Sequence, residues 1–515
     1  MKHFSVIFVL VVLVSTFTAV FPQIQQQDQQ KIFVKTGIES YGQFRNANSH
    51  VFYDSTALDS FILATMNTYH FPGVQACIVK DDQLIWKGAY GYANIGHNRP
   101  VTDSTLFYLA SISKTFAATA MMQLWENGSF NLDDDINNYL PFFQVRNPYH
   151  PNTPITFRML LTHTSSIRDN SYGLGVKGSD SPIRLDSFLV NYLVPGGSYY
   201  HSSNYNSSTP GTKWEYTNKG VALIGYLVET ISNSSFEQYC QDSIFIPLGM
   251  YETSWFQANL DTTHIAMPYY YSGGSYHPYG HHGTPGYPAS QLRTSAVQLS
   301  RFLRAYIQNG QIDGVRILDS TTVDLMTTEH LLADPNMVYW WPYWQGFIWR
   351  IYSNELPYWG NQRFCGHWGA SQGARAGMDY VFNNVDKLGV IVLNNGESEP
   401  PIIQKLVNEL FIYEYLYDEI FSHTDEVPMD YSLKQNYPNP FNPKTNIEFS
   451  IYRSEFVRLK LYNLLGQEVA TLVSEKLAAG NYKYDWDAGN LASGVYLYRL
   501  QAGDYVQTRK MVLMR

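Results

Sequence analysis

Cysteine is almost missing from this 515-residue chain: Cys77, Cys240 and Cys365 are all it has. No two of them form a Cys-x-x-Cys pair, which excludes a zinc ribbon or a thioredoxin-type site. Three thiols build no disulfide framework, and a single bridge would still leave one free. Charge is scarce too. Charged residues make up 15% of the chain against 45% hydrophobic ones, the balance of a globular protein and not of a disordered one. A basic excess is also missing, with 35 Lys and Arg against 44 Asp and Glu, which argues against a nucleic-acid binder. Beyond one apolar run at the start, no stretch approaches membrane-spanning length, and no internal repeat is found.

What is present begins with that run. Met1-Lys2-His3 is followed by apolar Phe4–Phe21, then Pro22 and a Gln-rich stretch. The order of a short basic start, an apolar core and a polar exit is that of a secretory signal peptide, expected over 1–23. The competing reading is a membrane anchor, because 18 residues just suffice to span a bilayer. Ala19 is the best small residue for cleavage, with Phe17 a poor companion. No Cys follows, so a lipoprotein anchor does not fit. Residues 24–50 are Gln- and Asn-rich, a polar leader.

The other end differs in composition. Residues 432–515 hold 11 Lys and Arg against 7 Asp and Glu, a net of +4, which leaves −13 on the part before them. A polar stretch, Ser422–Glu426, lies in an expected linker over 419–435. Then Pro438, Pro440 and Pro443 crowd one short segment, which makes helix impossible and strand poor. Beyond it, alternation predicts strands over Thr445–Ile451, Val457–Tyr462, Tyr482–Trp486 and Val495–Leu500, with Gly466, Gly480, Gly494 and Gly503 at or near the turns. The expectation is a small all-β sandwich over 436–515. Its Tyr437-Pro-Asn-Pro-Phe-Asn-Pro443, Tyr462-Asn-Leu-Leu-Gly-Gln-Glu-Val469, Leu491-Ala-Ser-Gly-Val-Tyr496 and Gln507-Thr-Arg-Lys-Met-Val-Leu513 resemble the C-terminal sorting domain of type IX secretion. The alternative is an ordinary accessory sandwich such as a sugar binder. The resemblance implies a protein that crosses both membranes of a Bacteroidetes-like bacterium. It would be released or held at the cell surface, with the type IX machinery as a partner.

Between these ends, helical spacing of apolar residues over Ala57–Tyr69 stops at Phe71-Pro72-Gly73. Val74–Lys80 and Gln83–Tyr90 follow as a hairpin turned at Asp81-Asp82. Thr115–Asn127 predicts a strongly apolar helix, Val221–Ile231 and Leu299–Ile307 two more, and Phe347–Ile351 and Leu388–Leu393 late strands. Together they describe an α+β fold, an antiparallel sheet flanked by helices with a helical subdomain, over 51–418.

Three short patterns could carry chemistry. Ser111-Ile-Ser-Lys114 opens the apolar helix. Residues three apart share a helix face, so the Lys114 amine can lie beside the Ser111 hydroxyl. A serine alcohol needs such a neighbour to become a nucleophile, and a helix N-terminus offers backbone N–H groups to a developing oxyanion. The bland alternative is a helix cap beside a solvated lysine. Ser113 is a second hydroxyl, without a lysine three residues on. Tyr216-Thr217-Asn218 can point both outer side chains one way in extended chain. A tyrosine beside an ammonium can act as general base, although 41 tyrosines make an ordinary loop residue a real competitor. His367-Trp368-Gly369, then Ala370 and Ser371, opens an expected strand with glycines on both sides, where a substrate backbone could come close. There His367 would supply a cation or donor. The alternative is a glycine-rich turn with a surface histidine.

In this order and spacing, the three patterns resemble the serine β-lactamase and penicillin-binding-protein superfamily. The branch is that of class C β-lactamases, D,D-carboxypeptidases, D-aminopeptidases and family VIII esterases. Phe71-Pro-Gly-Val74 with Gly88-Ala-Tyr-Gly91, Ile155-Thr-Phe-Arg-Met-Leu-Leu-Thr-His163-Thr-Ser and Pro247-Leu-Gly-Met250 are similar to further segments of that branch. The likeness spans roughly 55–415. It implies Ser111 as acylated nucleophile, Lys114 and Tyr216 sharing the acid/base work, and Asn218 orienting the substrate. The backbone N–H groups of Ser111 and Ala370 would form the oxyanion hole. Two positions depart from the family. His367-Trp368-Gly369 stands where β-lactamases and many carboxypeptidases have Lys-Thr-Gly, which argues against efficient β-lactam hydrolysis and carboxypeptidase action. Ser290-Gln291-Leu292 stands where Gly-Gly-Leu is common.

The resemblance makes His163 structural. His277, His281 and His282 sit among glycines and prolines, which disfavours a helical metal site, and Asp133-Asp134-Asp135 lacks calcium-loop spacing. No cofactor and no metal is expected. Trp340, Trp341, Trp344, Trp349, Trp359 and Trp368, interleaved with tyrosines, are either core filler or an aromatic wall leading to the His367 strand. The function expected is a secreted serine hydrolase acting through an acyl-enzyme on small esters or peptide amides. The alternatives are a D,D-carboxypeptidase or penicillin-binding protein, a true class C-type β-lactamase, and a catalytically silent binder of peptides or cell-wall fragments.

Overall fold

The computed structural model describes residues 56–333, 343–356, 360–381, 387–397, 400–422, 431–451, 455–477, 480–489, 491–503 and 505–514. The expected signal peptide and leader lie outside the described residues. The chain divides into two compact units, one over Leu58–Ile420 and one that includes Phe421–Arg515.

The first unit opens with helix α1 (Thr56–Tyr69), then strands β1 (Gly73–Lys80), β2 (Gln83–Asn94) and β3 (Arg99–Pro100). Helices α2 (Ser113–Glu126), α3 (Asn218–Ser232) and α4 (Ala296–Ile307) come next. Strands β4 (Leu331–Leu332), β5 (Trp344–Gln345), β6 (Arg350–Leu356), β7 (Gly360–Ser371), β8 (Ala374–Val381) and β9 (Leu388–Asn394) follow, and helix α5 (Pro400–Ser422) closes the series. The strands form one nine-stranded antiparallel sheet in the order β4-β5-β6-β7-β8-β9-β1-β2-β3. The central strands β1 and β9 are buried along almost their whole length because helices cover both faces. On β9, a Cβ at Gly389 would press on Leu303 and Ile307 of α4, whereas on β8 one at Gly377 would press on Ile403 and Val407 of α5. Glycine at both places lets the two helices lie close to the sheet.

Helix α2 is buried over every residue from Ser113 to Leu124. That explains why its sequence is apolar or small all round instead of amphipathic. It packs against α3 in the helical part of the unit.

The hairpin and the helices fall where the sequence places them. The expected strand over Phe347–Ile351 is corrected: Phe347 and Ile348 form a bend, and the strand begins at Arg350. The Gly346 N–H donates to the Trp349 carbonyl, and Ile348 takes a left-handed φ of 68°, which a strand does not accommodate.

In the second unit, β10 (Ser432–Leu433), β11 (Lys444–Ile451), β12 (Glu455–Asn463), β13 (Glu468–Leu477), β14 (Gly480–Asp487), β15 (Gly494–Ala502) and β16 (Tyr505–Leu513) make an all-β sandwich. One sheet runs β10-β11-β14 and the other β13-β12-β15-β16. Ile447, Phe449 and Ile451 from one sheet meet Val457, Leu459, Leu461, Tyr498 and Leu500 from the other in one core. Three strands, β10, β13 and β16, are additions to the four that alternation predicts. Among the described residues no helix is long and apolar enough to cross a membrane.

Candidate active site

Ser111 sits in the 3-10 turn Ala110–Ile112 that leads into α2. Ala110 holds a left-handed φ of 47°, a conformation that costs a non-glycine residue and persists only where the surroundings enforce it. Here they do. Leu109 donates its N–H to the Leu292 carbonyl at 2.9 Å, and the Leu292 N–H donates to Ser113 Oγ at 3.1 Å. The Ser113 hydroxyl is thus occupied in fastening this turn. On the other side, a Cβ at Gly369 would collide with the Leu109 carbonyl, so strand β7 presses against the Ser111 turn only because residue 369 is glycine. The Ser290-Gln291-Leu292 segment acquires a structural account: Leu292 straps the turn, Gln291 donates to the Tyr108 hydroxyl, and Ser290 lines the cavity.

Lys114, in the first turn of α2, is wholly buried and donates to Ser111 Oγ at 3.0 Å and to the Ala289 carbonyl at 2.7 Å. Burial pulls its pKa down to about 7; Asp169 works against this, and the charges of Arg350 and Lys219 reinforce it. Its ammonium nitrogen stands 4.9 Å from the Tyr216 ring centroid.

Tyr216 is held just ahead of α3. Thr217 caps that helix, accepting from the Gly220 N–H at 3.1 Å. Asp169 completes the cap by accepting the N–H groups of Asn218 at 2.9 Å and Lys219 at 3.1 Å. The buried Tyr216 hydroxyl has its pKa pushed up to about 12 by desolvation, with Arg350 as the strongest opposing influence. Asn218 lines the cavity with Tyr216, but its side-chain amide donates to Asp169.

The expectation for His367 needs correcting. His367 and Gly369 fall in the middle of a twelve-residue strand, not at its start, and neither lines the cavity. His367 is fully buried, with Nδ1 2.9 Å from the Trp368 carbonyl. Burial, then the charges of Arg350 and Lys114, hold its pKa well below the usual histidine value, so it is neutral and not a cation. The surface-turn alternative falls with it. Strand alternation turns its neighbours Trp368 and Ala370 to the cavity instead. The pairing of β7 with β6 ends at Gly366 opposite Arg350, and the rest of β7 runs beside the Ser111 turn.

Trp368 is fixed from behind. Its indole N–H donates to both carboxyl oxygens of Asp379, at 3.1 and 2.9 Å, and Tyr352 donates to the same carboxyl at 2.8 Å. Asp379 is buried and its pKa is raised to about 7, chiefly by desolvation. A Cβ on Gly366 would strike it.

Sequence reasoning missed Arg350. It is 5% exposed, opens β6 and lines the cavity with Ser111, Tyr216 and Trp368. Its guanidinium carbon lies 4.9 Å from the Tyr343 centroid, 5.2 Å from Trp368 and 5.6 Å from Tyr216. The available signal was a lone arginine between Trp349 and Ile351 in an otherwise apolar run.

The cavity of about 760 Å³ has Tyr172, Leu174, Phe188 and Trp368 on its apolar side and Asn170, Asn218 and Gln372 among its polar groups. The clustered tryptophans divide between the two readings of them. Of the six clustered tryptophans, Trp368 lines the cavity. Trp349 belongs to the core against Phe302 and Tyr306, Trp344 is exposed, and Trp340, Trp341 and Trp359 lie outside the described residues. His163 is buried behind Tyr216, ring centroids 4.7 Å apart. Its backbone carbonyl accepts from the Glu215 N–H. The three cysteines are buried and unbridged. Among the described residues no group of three or more His, Cys, Asp or Glu is placed to hold a metal ion.

Residues 58–406 match the family model described as Beta-lactamase, and residues 435–514 match the one described as secretion system C-terminal sorting domain. The chain is 28% identical over 220 residues to protein flp of Staphylococcus aureus (strain MRSA252), which is 42% of either chain. It is 31% identical over 191 residues to penicillin-binding protein 4* of Bacillus subtilis (strain 168), 36% of this chain and 40% of that one. Each match spans about two fifths of the relative's length. Among solved structures, EstCE1, a hydrolase with promiscuous acyltransferase activity, has the same fold. It matches at a TM-score of 0.55 and 18% identity over 69% of this chain and 99% of that one.

Proposed function

The chain belongs to the beta-lactamase family, whose members are serine hydrolases, and carries a secretion sorting tail; from that premise we propose that it is a secreted hydrolase of esters or peptide amides that works through an acyl-enzyme on Ser111. The observation that carries this reading is the contact between Lys114 Nζ and Ser111 Oγ at 3.0 Å in a buried site.

The two titratable groups beside Ser111 have been pushed in opposite directions, which supports separate roles for them. Lys114, with a pKa of about 7, is the group able to take a proton near neutrality. Tyr216, pushed up to about 12, keeps its proton and can give it away. In the proposed cycle, Ser111 Oγ attacks the substrate carbonyl carbon while its proton passes to Lys114. The carbonyl electron pair moves to oxygen, where the N–H groups of Ser111 and Ala370 receive it. Collapse restores the carbonyl and breaks the bond to the leaving group, which departs with the Tyr216 proton. Lys114 then returns its proton to Tyr216. Water repeats the sequence on the acyl-enzyme with the leaving group now Ser111. Asn218, tied to Asp169, offers a fixed polar edge to the substrate amide or ester.

The cavity's apolar side favours a neutral acyl portion. Export across the outer membrane, to the medium or the cell surface, is the part of the proposal that rests on the sorting tail. The test is a panel of acyl esters and peptide amides turned over by the wild-type protein and by Ser111→Ala. Activity lost in the variant at unchanged fold supports the reading, and activity retained overturns it.

A further inference from the structure

Seven groups able to carry charge or a proton surround the Lys114–Tyr216 pair. Asp169 and Lys219 lie at the start of α3, 3.7 Å apart, and act on Lys114 in opposite directions, Asp169 the more strongly. His163, in the turn behind Tyr216, and His367, on β7, are buried and kept neutral by desolvation. Tyr343 stands across Arg350 and keeps its proton, because burial raises its pKa. Asp379, on β8, lies behind the Trp368 indole that it binds. The remaining group is Arg350, a planar guanidinium cation, which opposes Asp169 at Lys114.

We propose that Arg350 tunes the Ser111 centre as a positioning residue: its guanidinium, clamped among the rings of Tyr216, Tyr343 and Trp368, adjusts how readily Lys114 and Tyr216 give up their protons. This rests on the acyl-enzyme reading and deepens it. The geometry supplies the rigidity that such a role needs. A planar cation over three ring faces is favoured electrostatically and has little freedom to swing away. One of those rings, Trp368, is pinned by Asp379, which also accepts from Tyr352. Tyr352 in turn accepts from Gln404 of α5 at 3.1 Å. A chain of contacts thus runs from α5 through the sheet to the guanidinium, and it ends at the tyrosine ring. Its effect has one sign. A fixed positive charge disfavours protonated Lys114 and favours ionised Tyr216, and Arg350 acts in that direction on both.

The test reads the rate at which a fluorophosphonate labels Ser111 as a function of pH, which requires no knowledge of the natural substrate. The wild-type rate is expected to rise through a midpoint near pH 7 as Lys114 loses its proton. Arg350→Gln moves that midpoint up by about one unit, which lowers the rate at pH 7 about fivefold, from about half of the maximum to about a tenth. Arg350→Lys keeps the charge and holds the midpoint within about 0.3 units of wild type. Arg350→Met also removes the charge while keeping apolar bulk among the three rings, and it moves the midpoint up in the same way should Arg350→Gln fail to fold. A folded Arg350→Gln or Arg350→Met protein with the wild-type midpoint overturns the inference. A wild-type protein that takes no label at all overturns the acyl-enzyme reading, and this inference with it, whereas labelled wild type with immobile midpoints sinks only the role of Arg350.

Discussion

The two units of this chain treat polar groups in opposite ways. Inside the sandwich, the core is made of Ile447, Phe449, Val457, Leu459, Leu461 and their neighbours, and its buried Asn436 is satisfied by Pro438, Thr445 and Tyr498. The hydrolase unit instead buries Lys114, His163, His367, Arg350 and Asp379 within reach of one cavity. Burying ionisable groups costs stability. A fold that buries five of them together has put chemistry ahead of stability there, and their shifted proton affinities mark the place. The sandwich, which matches the model of a secretion sorting domain, shows what the same chain builds away from the candidate site.

That contrast can be broken by mutation. Lys114→Met should show the largest effect. Activity falls on the order of 10³-fold, the loss typical of a missing acid/base group. The folded unit becomes more stable at pH 7, by roughly 1–4 kcal/mol, because a buried charge site is replaced by an apolar side chain. The sign follows from linkage. A lysine with a folded pKa near 7 and an unfolded one near 10.5 binds fewer protons when folded. It therefore weakens the fold most at and below pH 7, and stability recovers as pH rises toward 10.5. The advantage of Lys114→Met should shrink over that window in a series of melting curves.

Next comes Gly369→Ala. The added methyl meets the Leu109 carbonyl and displaces the Ser111 turn. About 10²-fold loss in kcat/KM is expected, the cost of a misplacement near 1 Å, with a loss of about 1–3 kcal/mol in stability because the methyl meets backbone. In the sandwich, Leu459→Ala should affect stability alone. It costs about 2–5 kcal/mol, visible in the transition of that unit, while Ser111 labelling stays at the wild-type rate. The smallest effect is expected from Cys77, Cys240 and Cys365. Burial raises the pKa of all three thiols, so thiol reagents should leave the folded protein unmodified and its activity unchanged.

Legibility from sequence followed the same divide. The Ser111–Lys114 spacing was readable because three residues make one helical turn, and the 3-10 start of that turn did not disturb it. Tyr216 and Asn218 were placed by the cap that Thr217 forms between them. His367 misled because its face depends on strand parity: a neutral buried ring and a cavity-lining ring differ by one residue, and only the register against β8 decides between them. Arg350 stayed hidden because its partners, Tyr216, Tyr343 and Trp368, come from separate elements that only the folded sheet unites. In the sandwich, β13 escaped because its mostly exposed residues lack alternation, as an edge strand allows. In β16, alternation holds, but the inward positions before Met511 carry little apolar weight.

The account's central claim is that Ser111 is an activated nucleophile. Intact-protein mass after treatment with a fluorophosphonate and, separately, with a penicillin tests it most directly, with Ser111→Ala as control. One covalent fluorophosphonate adduct per chain, absent from Ser111→Ala, is the predicted result, and the lifetime of any penicillin adduct then separates penicillin-binding from esterase behaviour. A folded wild-type protein that gains no mass from either reagent would contradict the claim and leave a silent binding protein as the better reading.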